Sequence, residues 1–372
     1  MTSLLFSPIT LRGVTLANRV VVAPMCQYSA VNGSATDWHL MHLGQFSVSG
    51  TGLVIVEATG VEPEGRITPH CLGLWSDENE AALARVVKFC RDYGNTRMGI
   101  QLSHAGRKAS VNAFWQGSKP VAAAGGGWQT VAPSPLPFVD DGRPVPQELT
   151  AEGMARIKAS FVEAAKRAAR IGFDSLETHS AHGYLLHEFL SPISNQRTDD
   201  YGGSLENRMR YPLEVFAAIR DVWPEDKPFG VRVSATDWID GGWDVESTLI
   251  YARELEKLGC DYLHVSGGGI TATAKVPVGP GYQTGFAATL KAGLSIPVIA
   301  VGLITGAMQA ENIIRSGQAD MVALARGMLF DPRWTWHAAN ELGAEAAYPP
   351  QYERSHAMFK GMRIPKDPPN TR

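Results

Sequence analysis

The stretch PVIAVGLITGAMQAENIIRSGQADMVALARG, residues 297–327, sets two apolar runs on either side of a segment whose apolar residues recur every three to four positions. The outer runs are rich in Val, Ile, Leu and Ala with little polar alternation, as in strands covered on both faces. The middle segment stops at Gly317, a helix C-terminal signal. Strand, helix and strand in that order read as a parallel crossover unit.

Working outward, the same rhythm predicts strands at RVVVAPM from Arg19, GLVIVEATGV from Gly52, RMGIQLSH from Arg97, FDSLETHS from Phe173, PFGVRVSA from Pro228 and DYLHVSGGG from Asp261. With PVIAVGLI and ADMVALARG the strands number eight, enough to close a (β/α)8 TIM barrel. An open doubly wound sheet alternates in the same way, and the count favours the barrel. The runs from Glu78, Ala151, Val245 and Ala310 have helical periodicity and end at glycine, so they are predicted to belong to the outer ring.

Two regions break the rhythm. Residues 4–19 read as a hairpin turning at Gly13 and plugging the barrel floor, and residues 105–150 form a long Gly-, Pro- and Trp-rich connection expected at the substrate rim. The expected division is a barrel over 1–347 and a C-terminal arm over 348–372. At 44% apolar and 19% charged residues with a net charge of -3, the chain is a packed globule without the basic field that nucleic acid or anionic membranes attract. No basic segment leads into an apolar stretch at the start and no long apolar run follows, so a cytoplasmic location is expected. Cys26, Cys71, Cys90 and Cys260 match no metal or disulfide spacing and are expected as free thiols.

Barrels of this kind carry their chemistry at the C-terminal ends of the strands. Those ends hold APMCQY (residues 23–28), Gln101 and His104, then Glu177, His179 and His182, Arg232, the glycines 267–269, Gly302, and Arg326 with Gly327. Glycines and an arginine after the last two strands suit a phosphate, whose oxygens accept from exposed backbone N–H groups and from guanidinium. His179 and His182 stand three residues apart with Tyr184 two further on. No carboxylate or thiol joins the histidines to complete a zinc set, so two donors polarising a carbonyl beside a phenolic acid is the reading preferred here, with no metal.

At this point the residues resemble a known family. APMCQY, THSAHGYL (178–185) and SNQRTDDYGGSLENR (194–208) are similar to the old yellow enzymes, in particular their thermophilic-like, cysteine-containing subclass, and the similarity runs from the hairpin to about Arg354. The resemblance implies tightly bound, non-covalent FMN at the barrel mouth, reduced by NADPH or NADH, and transfer of hydride from the flavin N5 to the activated C=C bond of an α,β-unsaturated carbonyl or nitro compound. It implies that Ala23, Pro24, Met25, Cys26, Ala58, Gln101 and Arg232 hold the flavin and that Gly302, Ala325 and Arg326 hold its phosphate. His179 and His182 would hold the substrate oxygen, Tyr184 would donate the proton, Tyr28 would line the pocket, and Cys26 would tune the flavin without attacking substrate. Arg354 would reach the neighbouring site of a homodimer. Ala325 stands where the family often has glycine, and the 18 residues after Arg354 suggest no function. Two other barrels compete: the reductase half of a 2,4-dienoyl-CoA reductase, which continues into an iron–sulfur site, and a non-flavin lyase, which needs a Schiff-base lysine at a strand end.

Overall fold

Residues 2–139 and 143–355 are described by a computed structural model. A hairpin of β1 (Ile9–Leu11) and β2 (Val14–Leu16) precedes the barrel strands β3 (Val20–Val22), β4 (Leu53–Gly60) and β5 (Arg97–Ser103). Two-residue strands β6 (Val131–Ala132) and β7 (Gln147–Glu148) pair within the long connection. The barrel then continues through β8 (Ser175–Ser180), β9 (Phe229–Ser234), β10 (Tyr262–Ser266), β11 (Val298–Ala300) and β12 (Met321–Leu324). The eight closing strands run in parallel, and β12 pairs with β3 at the seam, Val322 opposite Val20 and Leu324 opposite Val22.

Strand parity explains the continuous apolar runs. Side chains alternate between the faces of a strand. On β3, Val20 and Val22 join the large outer core beneath the helices, whereas Val21 and the following Ala23 join an inner cluster with Leu53, Ile55, Ile299, Met321 and Ala323. Leu11 and Leu16 of the hairpin complete that inner cluster and close the floor, as expected. At the hairpin tip Gly13 donates its N–H to Asp226 O at 3.0 Å, and a Cβ there would lie 2.7 Å from that oxygen.

The outer helices begin and end where local chemistry directs. Ser76, Thr150 and Asp244 each accept a backbone N–H in the first turn of the helices Asp77–Tyr93, Ala151–Ile171 and Val245–Lys257. The ring also contains Asp37–Ser47, Leu205–Arg220 with Pro212 inside it, and Thr284–Ala292. Periodicity did not single these out.

The motif over 194–208 frames the long connection. The Arg197 guanidinium donates to the carbonyls of Pro133 (3.0 Å) and Leu149 (2.8 Å), and the Gln196 N–H donates to Ser134 Oγ at 2.9 Å. Asn195 Nδ2 donates to Phe189 O and Tyr201 O, both at 2.7 Å. Beyond the barrel, Tyr352 packs edge-on against Trp336 with ring centroids 6.2 Å apart, and the Arg333 guanidinium stands near both rings. The part of the expected arm over 356–372 lies outside the described residues.

Candidate active site

Register places the polar residues in two layers inside the mouth, because residues paired across parallel strands project to the same face. His179, Arg232 and His264 are Cα partners along β8, β9 and β10. One layer down, Gln101 on β5 pairs with Glu177 on β8. Gln101 Nε2 donates to Glu177 Oε1 at 2.7 Å, and Glu177 Oε2 meets His264 Nδ1 at 3.0 Å, so the carboxyl bridges three strands. Arg232 differs from these neighbours. It is buried, its Nε has no partner, and no described residue accepts a hydrogen bond from its guanidinium. A buried cation without an acceptor is costly unless a ligand supplies one.

Above this layer His179 Nε2 and His182 Nδ1 stand 3.2 Å apart. The Ala181 N–H donates to His179 Nδ1 at 3.2 Å, which places the ring proton on Nε2, facing the mouth. His182 Nε2 lies 2.7 Å from Ser266 Oγ, a hydroxyl that donates or accepts by rotating. Without a ligand His182 Nδ1 accepts from His179. With an acceptor oxygen between the rings both nitrogens can donate to it, His182 then taking the Nδ1–H tautomer with its Nε2 accepting from the Ser266 hydroxyl. Burial first, and the positive Arg232 second, hold both imidazoles well below their ordinary pKa, so both are neutral at pH 7.

Tyr184 sits edge-on to His179, ring centroids 4.9 Å apart. Its hydroxyl has no partner among the described residues, and burial raises its pKa well above the phenolic value, keeping the proton on oxygen. The loop carrying these groups is tightly folded: His182 has φ +59 and Gly183 φ +71. Gly269 (φ +97) of the β10 loop lies against it, and a Cβ there would come within 2.5 Å of His182 Cα. Only glycine permits that approach.

Residues 23–28 leave β3 along the rim. The Gln27 N–H donates to Glu57 Oε2 at 2.9 Å, and Glu57 Oε1 meets His39 Nε2 at 3.3 Å, so a buried carboxyl anchors the turn. Burial foremost, then Glu57, pushes the Cys26 thiol up, which keeps it protonated and a poor nucleophile. Tyr28, at φ +50, packs edge-on against Phe114 and Trp115 of the long connection, with centroids 6.4 and 5.5 Å away. That connection therefore does reach the rim. Ala58 follows a register irregularity in β4 and pairs with Gln101.

Beside this rim, across the β12–β3 seam, Gly302 (φ +130) follows β11, and Ala325 and Arg326 follow β12. The two loops touch, since a Cβ on Gly327 would lie 3.7 Å from Ile304 O. Arg326 is exposed with no side-chain partner among the described residues. Arg354 is exposed too and contacts none of the site residues within its own chain.

His104 does not join the site. Its Nε2 faces Glu62 Oε1 at 3.1 Å, and Arg156 binds the same carboxyl from outside the barrel. Gln101 to His104 is three steps, an odd number, which turns His104 away from the interior. Sequence reasoning passed over His264, Ser266 and Glu57. The alternation Tyr262, His264, Ser266 on one strand is the signal that finds the first two.

No described helix is long and apolar enough to cross a membrane. Residues 4–345 match the NADH:flavin oxidoreductase / NADH oxidase family model. An NADPH dehydrogenase of Geobacillus thermodenitrificans is 42% identical over 356 residues, 95% of this chain and 99% of that protein. An NADH:flavin oxidoreductase of Gibberella zeae is 47% identical, covering 96% and 89%. Among solved structures, morphinone reductase in complex with tetrahydroNAD superposes with TM-score 0.73 at 30% identity, covering 93% of each chain. A 2-naphthoyl-CoA reductase, 24% identical and matched over 91% of this chain and 52% of its own, shares the fold with TM-score 0.81. A closed barrel with its polar groups at the mouth, matched by the family model along nearly its whole length, belongs to the FMN- and nicotinamide-dependent NADH:flavin oxidoreductases of the old yellow enzyme type.

Proposed function

We propose that the chain reduces the activated C=C bond of α,β-unsaturated carbonyl or nitro compounds. The observation that carries this reading is the pair of neutral histidine nitrogens 3.2 Å apart beside the unpartnered hydroxyl of Tyr184. Two donors converging on one point suit a single electron-poor oxygen, and a phenol beside them suits protonation of the carbon next to it.

The residues present fit FMN. Arg232 offers a buried positive charge with no acceptor of its own, and Gln101 keeps its Oε1 for a ring N–H once Nε2 is committed to Glu177. Ala23, Pro24, Met25, Cys26 and Ala58 would flank the ring, and Gly302, Ala325 and Arg326 would hold the phosphate. When bound, FMN supplies the hydride store, filled by NADPH or NADH and emptied onto the β-carbon of the alkene. His179 and His182 hold the substrate oxygen, Tyr28 lines the pocket, and Tyr184 delivers the α-carbon proton. The same reading keeps the protein in the cytoplasm.

The test is consumption of NADPH and NADH by the flavin-loaded protein with 2-cyclohexenone, N-methylmaleimide and a nitroalkene under anaerobic conditions. Saturated product is expected. Flavin reduction without reduction of any of the three would defeat the assignment.

Arg232→Met is expected to lower the flavin midpoint potential by on the order of 30 mV, because removing positive charge disfavours the anionic reduced form; for two electrons that is about 1.4 kcal/mol. A redox titration showing an unchanged potential with flavin still bound would remove Arg232 from this role.

The arm is the second structural unit of the proposal. Pro349 and Pro350 stiffen its approach, Tyr352 docks on Trp336, and Arg354 is left exposed to reach the active site of a second copy in a homodimer. Arg354→Ala should weaken substrate affinity while flavin stays bound. Mixing His179→Ala subunits with Arg354→Ala subunits should restore one intact site per hybrid dimer. Verified subunit exchange without recovered activity would rule the composite site out.

A further inference from the structure

Lys108 ends the turn Gly106–Lys108 that follows β5. Its Nζ donates to the carbonyl oxygens of His182 at 2.8 Å and Gly269 at 3.0 Å. The same ammonium stands 5.3 Å from the centroid of the Tyr184 ring and 4.4 Å from that of Phe138. One side chain thus joins three loops, those after β5, β8 and β10, where the two glycine-lined loops press together. It also sets a positive charge against the face of the proposed proton donor.

We propose that Lys108 is a positioning residue for proton transfer: it fixes the His182 loop and its charge favours release of the Tyr184 proton. The proposal rests on the reading of Tyr184 as the donor. In that step the Tyr184 O–H bond breaks, the proton forms a C–H bond at the α-carbon using the electron pair of the enolate, and the O–H pair stays on the phenol oxygen. Water later returns the proton. A cation over the ring stabilises the charge that develops on the phenol, an effect large in a desolvated site.

The charge itself is sensitive to pH. Burial foremost lowers the Lys108 pKa to about 8, with Glu188 opposing and Arg107 and Arg143 reinforcing that shift. The groups facing it are Arg107 from its own turn, Glu188 and Tyr184 from the helix Leu185–Leu190 and its cap, Arg143 from the long connection, and His182. Glu188, which accepts the Arg107 N–H at 2.8 Å, is itself raised to about 8 by burial and is the other candidate titrant. Lys108 is charged below its pKa, so proton transfer should be fastest below pH 8 and fall as the pH rises through it.

The experiment follows re-oxidation of the reduced, flavin-loaded protein by 2-cyclohexenone in stopped flow from pH 6 to 10, and separately its reduction by NADPH. Lys108→Met should slow re-oxidation roughly tenfold at pH 7, the scale of a buried cation–π contact, and abolish the fall near pH 8. Its NADPH reduction should stay unchanged. Lys108→Arg should restore the rate and carry it undiminished past pH 9, and Glu188→Gln should keep an inflection. Adding Lys108→Met to Tyr184→Phe should cost less than Lys108→Met alone, because the charge effect is lost with the phenol and only the loop contact remains. An unchanged re-oxidation rate in Lys108→Met, an equal fall in both half-reactions, or an inflection that stays at the same pH in Lys108→Arg overturns the proposal. The last comparison decides the matter even where Lys108→Met loses flavin. Tyr184→Phe run alongside separates the two failures: if it re-oxidises normally the donor assignment falls and the lysine's role with it, whereas a slow Tyr184→Phe beside a silent Lys108→Met removes the lysine alone.

Discussion

Replacing His179 or His182 with alanine is expected to reduce kcat/KM for 2-cyclohexenone by roughly 10²–10³, the scale of losing one preorganised donor to a developing oxyanion. The size follows from where the donors stand. His179 has its Nε2 proton fixed by the Ala181 N–H on the opposite ring nitrogen, and His182 is backed by Ser266, so neither ring reorganises much when substrate arrives. Both are desolvated, which strengthens a hydrogen bond to a charged oxygen. Both are also neutral at pH 7, so the clamp should add no inflection to the activity profile between pH 6 and 8. Flavin content should survive, because the proposed flavin contacts lie just after β3, on β4, β5 and β9, and in the loops after β11 and β12. Normal turnover per bound flavin in either variant would show that the histidines do not hold substrate.

The second large effect is expected from Tyr184→Phe. General acids contribute typically 10²–10⁴-fold, and the variant loses the Tyr184 hydroxyl outright. Re-oxidation of the reduced flavin by an enone should slow by that order, while reduction by NADPH, which needs no proton from the phenol, should keep its rate. The fully protonated state of Tyr184 keeps the deficit constant below pH 8, where Lys108 is charged. Stopped-flow traces with the reductive half slowed and the oxidative half intact would assign the hydroxyl to nicotinamide binding instead.

Parity explains both what could be read in the sequence and what could not. Val20 to Val22 are apolar on both faces because one face meets the helices and the other meets Leu53, Ile55 and the hairpin leucines, so a run without alternation marked a barrel strand correctly. Spacing also brought His179, His182 and Tyr184 together, since a tight turn at the end of β8 folds them over one point. His104 misled because its type, and not its parity, was weighed. Lys108 was invisible: it sits in a turn with no periodicity, and its meaning comes from two carbonyls 74 and 161 residues away. The highly recognisable 194–208 motif pointed to the right family for a structural reason, since its Arg197 and Gln196 brace the connection that reaches the rim. Family membership as a flavin oxidoreductase sets the lyase reading aside.

The seam between β12 and β3 has a consequence during synthesis. Val22 finds its partner Leu324 only after about 300 further residues have been made, a wait of roughly 15–60 s at ordinary ribosomal rates. Until then β3 presents an unpaired edge, and the hairpin leucines lack the Met321 and Ala323 side chains that complete their enclosure. Early folding therefore has to proceed through the neighbouring pairs β4–β5 and β8–β9–β10, with the ring closing last. An open seam of this kind is where a nascent chain would need a chaperone's cover, and truncation before β12 should leave an aggregation-prone arc in place of a smaller stable domain.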